Sequence, residues 1–504
     1  MSNWLDTWIL TLVTFVPLAG GLLLMIFPRR DRDIKVFAMV ISLLTFVLSI
    51  HLPGHFHRAQ AGFQYETDFS WISNPNIHYH MGIDGISMWL IVLTTFLTPL
   101  CVLISWNSIH QRVKEFFILL LVLETALIGV FTSLDLFLFY FFWEATLIPM
   151  ALLIGMYGHG RKVYAAVKFF LYTMVASTFM LAAILWLYAK TGSFDFVQIQ
   201  NAIHGGAIPN FPAAAQWLFL GFFLAFAVKV PLFPFHTWLP DAHVEAPTAG
   251  SVMLAGVMLK MGTYGMLRFN LGLFPEQSRS NASWIIVLAL IGIVYGALVA
   301  MVQPNMKKLI AYSSISHLGF VVLGIFSFNP AGLDGAAYVM LAHGISTGGL
   351  FMLAGILYER RHTYEIEDFG GLATPMPAYA TFFLFVMLAS VGLPLLNGFI
   401  GEFLVLSGAF QARPVYGIIG ATGVIWSAGY LLWLYQRVFF GKVKHPENES
   451  LPDLSVRERI ALWPITVIAL AMGVAPLLWL NAIEPAVQAT LGPITQLASK
   501  VVGQ

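Results

Sequence analysis

The chain has 504 residues, of which 58% are hydrophobic and 10% charged, against about 25% charged in soluble domains. A mean hydropathy of +0.79 and a net charge of +1 exclude a water-facing globule and give no basic surface for a nucleic acid. The single cysteine, Cys101, excludes an intrachain disulfide and an Fe–S cluster held by this chain's thiolates alone, and no Rossmann, Walker or HExxH motif is present.

Apolar runs of roughly 17 residues or more predict membrane helices. In chain order they fall near 7–27, 34–53, 86–106, 116–133, 134–157, 163–189, 215–236, 247–270, 284–302, 308–327, 335–358, 377–411, 416–438 and 459–480. The fold expected is an all-α polytopic membrane protein of about fourteen spans. The first run lacks a basic leader and a small-residue cleavage site, so it reads as a retained helix. The outer loop with His51, His55, His57, His78 and His80 matches no closed zinc spacing and reads as a solvated loop. Residues 481–504, beyond the last expected helix, read as too short for a further domain.

Placing the N-terminus outside puts most of the 26 Lys and Arg into alternate, inner loops, as the positive-inside rule requires; the poor inner loop is 237–246. Both termini are then expected outside.

Two runs contain helix breakers. Lys229-Val-Pro-Leu-Phe-Pro234 carries Pro231 and Pro234, and the run at 377–411 carries Gly392, Pro394 and Gly398. The prolines remove backbone donors to Ala227 and Val230 and are expected to free those carbonyls, which lipid does not tolerate. The spacing of the breaks predicts two inverted five-helix repeats, spans 4–8 and 9–13, each with one broken helix (the seventh and twelfth spans). The units are then 1–110, an N-terminal three-helix region; 111–280 and 281–440, the two repeats; and 441–504, a C-terminal loop and last helix.

Ionisable residues at membrane depth cost about 2.5–3.5 kcal/mol each on insertion scales and mark function. They are Glu144, Lys229, Lys260, His317, His343 and Glu402, with Glu124 and Lys168 as secondary candidates. Glu144 is expected to pair with Lys229 beside the break. Lys260 lies too deep to snorkel and reads as a proton carrier. His317 and His343 have two nitrogens suited to relaying; the alternative is hydrogen-bonded packing. Glu402 follows the second break. Lys168 is read as snorkelling or functional, Glu124 as a lateral link or a structural acceptor. Together the six form a row running sideways along the membrane, suited to proton translocation.

The segments Phe-Phe-Trp143-Glu144, Lys168-Phe-Phe-Leu-Tyr172, Lys229 through His243, Glu245-Ala-Pro-Thr248 and Asn397-Gly-Phe-Ile-Gly-Glu402-Phe resemble the antiporter-like subunits of respiratory complex I, the proton-pumping NADH:quinone oxidoreductase. Length and Glu402 resemble the chain M type, subunit 4 in mitochondria. The resemblance implies a proton-translocating membrane-arm subunit with Glu144 and Lys229 as coupling pair, Lys260 as central site, Glu402 near the outer half-channel, and His317 and His343 between them. It implies no cofactor in this chain, with FMN, Fe–S clusters and quinone in partner subunits. Antiporter-like chains L and N are expected on either side, in the bacterial inner (plasma) membrane, with lipid around and no nucleic acid. A multisubunit sodium/proton antiporter or membrane-bound hydrogenase subunit shares most of these motifs.

Overall fold

The computed structural model describes residues 4–502, with side chains through Thr495. Apolar runs fold as helices because helical hydrogen bonding satisfies the backbone where water is absent. The elements run α1 (Trp4–Ile26), α2 (Asp31–His55), β1 (Gln64–Ile72), β2 (Ile77–Ile83), α3 (Gly85–Ile104), α4 (Val113–Thr132), α5 (Leu136–Ala145), α6 (Leu147–Tyr157), α7 (Lys162–Thr191) and α8 (Phe196–His204). They continue with α9 (Phe211–Lys229), α10 (Trp238–Glu245), α11 (Thr248–Met253), α12 (Leu259–Gly265), α13 (Leu271–Leu273), α14 (Pro275–Met301), α15 (Met306–Ile325) and α16 (Pro330–Arg361). The last are α17 (Pro377–Val391), α18 (Asn397–Ala412), α19 (Pro414–Phe439), α20 (Val456–Val474) and α21 (Leu477–Val502).

Among the described residues, eleven helical stretches are long and apolar enough to cross a membrane, α5 with α6 counting as one, and the bent pair α20–α21 makes up to twelve. The two other expected spans are helical but interrupted. The run at 247–270 is cut by π-helical turns at Leu254–Met258 and Met266–Asn270. The run at 377–411 is two half-helices, α17 and α18, separated by Gly392 at φ +84° and Leu395 at φ +74°.

The all-α polytopic fold is borne out, with two features added and one reading corrected. The chain is not purely helical: 64–83 is an antiparallel hairpin turning at Asn74-Pro75-Asn76, its strands rich in aromatic and β-branched residues. The histidines read as loop residues therefore sit on ordered elements, His51 and His55 on α2 and His78 and His80 on β2. His51 meets Asp6 at 2.8 Å, His78 meets Asp68 at 2.7 Å, and His80 meets Asp195 at 2.5 Å. Burial opposes a charged His80 imidazole, but the Asp195 carboxylate outweighs it and holds its pKa above the usual value. Beyond the last expected span, 481–502 is helical as well. Pro476 stops α20, the chain bends by 67°, and α21 crosses α3, where the Ala482 carbonyl occupies the space a side chain at Gly85 would need.

α3 is anchored at its start by a capping box on Asp84. The second Asp84 carboxylate oxygen pairs with Arg268, also buried, which reaches it from the π-turn before α13. Arg268 was placed in a helix by sequence, but its partner was not foreseen.

Candidate functional site

The most continuous polar contacts in the helical core begin at Lys260. The preceding π-turn widens the helix, and the Lys260 ammonium donates to the Ala255 carbonyl at 2.5 Å and to His343 Nδ1 on α16 at 2.7 Å. The His343 and His317 rings are 5.7 Å apart between centroids. His317 Nδ1 then meets Glu402 Oε1 at 2.9 Å. All four residues are buried. α12, α16, α15 and α18 thus each contribute one ionisable side chain to a row.

Geometry assigns the tautomers. His343 Nδ1 accepts from Lys260, so its proton sits on Nε2; His317 Nδ1 donates to the carboxylate. Neither Nε2 has a hydrogen-bond partner among the described residues. Between the rings lies a small cavity lined also by Ser346, Ser390, Gly398 and Glu402, with about 10 Å³ open to water centres, room for one water. The break between α17 and α18 serves Glu402 directly. A Cβ on Gly392 would stand 2.9 Å from Glu402 Oε2, so the left-handed glycine both makes the turn and leaves space for the carboxylate.

The other end of the expected row differs. Lys229 ends α9 and is buried, but Glu144 does not pair with it. The Glu144 carboxylate instead accepts a short hydrogen bond from the buried Ser177 hydroxyl on α7. The Lys229 ammonium lies 5.4 Å from the Trp143 ring centre and 5.5 Å from that of Phe169, with no hydrogen-bond partner among the described residues. Aromatic faces partly replace the missing anion. The break also differs from expectation at Ala227, whose carbonyl is not free: the Leu232 amide reaches it at 2.7 Å across a wider turn, and the Trp238 indole donates to Val228 at 2.9 Å. Pro231 and Pro234 end α9 without orphaning that carbonyl. α9 and α12 touch where Gly262 lies; a Cβ there would sit 2.7 Å from the Phe226 carbonyl. Lys229 and Lys260 therefore stand on neighbouring helices without direct contact.

The secondary candidates separate. Lys168 is a partly exposed ion pair, bonded to Asp241 at 2.7 Å and to the Thr237 carbonyl at 3.0 Å; it ties α7 to α10. Glu124 is fully buried on α4, facing Thr98 and Cys101, with neither oxygen hydrogen-bonded among the described residues.

Three further buried groups were missed, one of them His236, whose two ring nitrogens are unpartnered among the described residues. His243 on α10 stacks on Phe351 at 4.4 Å with both nitrogens unpartnered among the described residues. Lys307, which falls between two expected spans, is buried in the first turn of α15 and donates to the Ala246 carbonyl at 2.5 Å. The signal for His243 was present in the motif quoted above. For Lys307 its place next to a second lysine concealed it.

The family described as NADH:quinone oxidoreductase/Mrp antiporter, TM, matches residues 133–426, and NADH-ubiquinone oxidoreductase chain 4, amino terminus, matches 12–130. NADH-quinone oxidoreductase subunit M of Rhodobacter capsulatus is 45% identical over 95% of each chain. NADH-ubiquinone oxidoreductase chain 4 of Chondrus crispus is 44% identical over 94% of this chain and 96% of its own. A chain of respiratory complex I from Thermus thermophilus with bound NADH superimposes with a TM-score of 0.88 at 33% identity, over 96% of this chain and 99% of that one. A chain of the Mrp complex from a Dietzia species shares the fold, with a TM-score of 0.84 at 19% identity over 98% of this chain and 99% of that one.

Proposed function

The chain belongs to the subunit M (chain 4) family of NADH:quinone oxidoreductases, and on that premise we propose that it carries protons through the membrane arm along Lys260, His343, His317 and Glu402. It is a multi-pass membrane subunit of complex I. The observation that carries the path is the run of contacts at 2.7 Å and 2.9 Å flanking one water-sized cavity. A proton leaving the Lys260 ammonium is accepted at His343 Nδ1 while Nε2 releases one toward the cavity. A bridging water passes it to His317 Nε2, and the Nδ1 proton goes to Glu402. Each imidazole thus takes a proton on one nitrogen as it gives one from the other. Moving one charge against 100 mV requires about 2.3 kcal/mol, which quinone reduction supplies from subunits that bind FMN, Fe–S clusters and quinone. Glu144 and Lys229 are the switch that feeds Lys260.

In this reading chains L and N flank the subunit in the bacterial inner membrane, both termini are periplasmic, and fourteen spans result once the interrupted runs are counted. The repeat has support in the backbone. Leu136 and Phe196 amides bond to the Phe194 and Leu134 carbonyls, joining the start of α5 to the turn after α7; Met306 and Ile366 amides bond to the Tyr364 and Pro304 carbonyls, joining the start of α15 to the turn after α16 in the same way. The two clasps stand on opposite faces in the proposed topology, as inverted units 111–280 and 281–440 require. The test is Glu402→Gln in the intact complex in vesicles. NADH-driven acidification is expected to fall to the level of uncoupled vesicles, and acidification at the wild-type proton-to-electron ratio overturns the path.

A further inference from the structure

We propose that Ser177 is a positioning residue that competes with Lys229 for Glu144 and so sets how often that ion pair is open. This rests on the reading of Glu144 and Lys229 as a switch, and deepens it. A carboxylate and an ammonium near each other in a low-dielectric interior attract strongly, and Lys229 is the cation whose field reaches Glu144. Yet the carboxylate is held by the Ser177 hydroxyl, and the ammonium rests between the Trp143 and Phe169 rings. An open arrangement of two such groups requires an alternative partner for each.

α7 supplies both. Ser177 is fully buried and faces Glu144, while Phe169, also buried and two turns earlier on the same face, covers Lys229. Tyr140, one turn before Glu144 on α5, stands beside the same carboxylate. The Ser177 proton has a second acceptor, the Met174 carbonyl at 3.0 Å. When Glu144 swings to Lys229, the hydroxyl turns to its own helix and is not orphaned. The same helix is tied to the α10 segment beyond the break through Lys168–Asp241 at 2.7 Å and Tyr172–Thr237 at 3.0 Å. α7 therefore senses the broken helix at one end and the state of Glu144 at the other.

Ser177→Ala in the intact complex removes the competing donor. A hydrogen bond to a charged group shifts a ratio by about tenfold or more, so the open fraction is expected to fall by at least about tenfold. NADH:quinone turnover in sealed vesicles falls with it, while the KM for NADH is unchanged. A density map of the variant is expected to show the Glu144 carboxylate on the Lys229 ammonium. Ser177→Thr, which keeps the hydroxyl, restores turnover. Glu144 remaining apart from Lys229 in the Ser177→Ala map, or turnover within twofold of wild type, overturns the proposal. Glu144→Ala separates the two levels: if it pumps normally the switch itself is wrong, and if it is silent while Ser177→Ala is normal only the role of Ser177 is lost.

Discussion

His317 is the link whose replacement separates packing from transport. His317→Gln offers Glu402 an amide donor one bond farther along the side chain than Nδ1, where the native contact is 2.9 Å and both groups are buried. Stability is then expected to stay within about 1 kcal/mol of wild type. His317→Ala leaves the buried carboxylate without this partner and is expected to cost about 3–5 kcal/mol. Transport responds differently, because a glutamine does not take a proton on one atom while releasing one from another. Loss of a positioned acid–base group slows a proton transfer by roughly 10²–10⁴-fold, so at least about 2.7 kcal/mol is added to the barrier. The assay is NADH-driven acidification of vesicles holding the intact complex, read beside its thermal unfolding. His317→Gln is expected to be stable and at least about a hundredfold slower in acidification. A glutamine variant that pumps at the wild-type rate makes His317 a packing residue and refutes the relay.

Asp84→Ala removes both the α3 capping box and the partner of Arg268; a loss of about 3–5 kcal/mol is expected from the stranded buried guanidinium, measured by thermal unfolding. Lys168→Ala breaks a partly exposed pair and is expected to cost less than about 1 kcal/mol, measured by thermal unfolding. The hairpin is expected to respond to pH. His80 has a folded pKa above its unfolded one, so its stabilisation is full below the unfolded value and is lost as pH rises through the folded one; the Asp195 pKa is held below its usual value, despite burial, by the His80 hydrogen bond, so its share is lost as pH falls. Protection at 64–83, taken as the exchange rate relative to the intrinsic amide rate at each pH, is expected to be greatest between the unfolded pKa values of Asp195 and His80 and to fall above the raised His80 value; a His80→Ala variant with the same protection profile contradicts the assignment.

Much of the fold was legible because lipid enforces one rule, long apolar helices, and every expected run holds a helix, although 215–236 ends in turns after Lys229 and 377–411 is split. The hairpin escaped because its strands are short and were sought only as long apolar runs. α21 escaped because beyond 480 it carries Asn481, Glu484 and Gln488, which break an apolar run without breaking a helix. The Lys260–His343–His317–Glu402 contacts follow from depth and residue type, which sequence displays. Ser177 holding Glu144 does not, since a serine in a membrane helix has many neighbours to bond and only packing selects one. The free Ala227 carbonyl was a fair reading of proline chemistry, corrected by a wider turn that only coordinates reveal.

Lys260→Met tests the central claim most directly, since it keeps an unbranched apolar stem and removes only the proton-bearing head. In vesicles containing the intact complex, NADH addition is expected to produce no acidification above the uncoupled baseline, although the complex assembles with its full set of subunits. Acidification at the wild-type proton-to-electron ratio contradicts the account, because a path that runs through Lys260 does not operate without its ammonium.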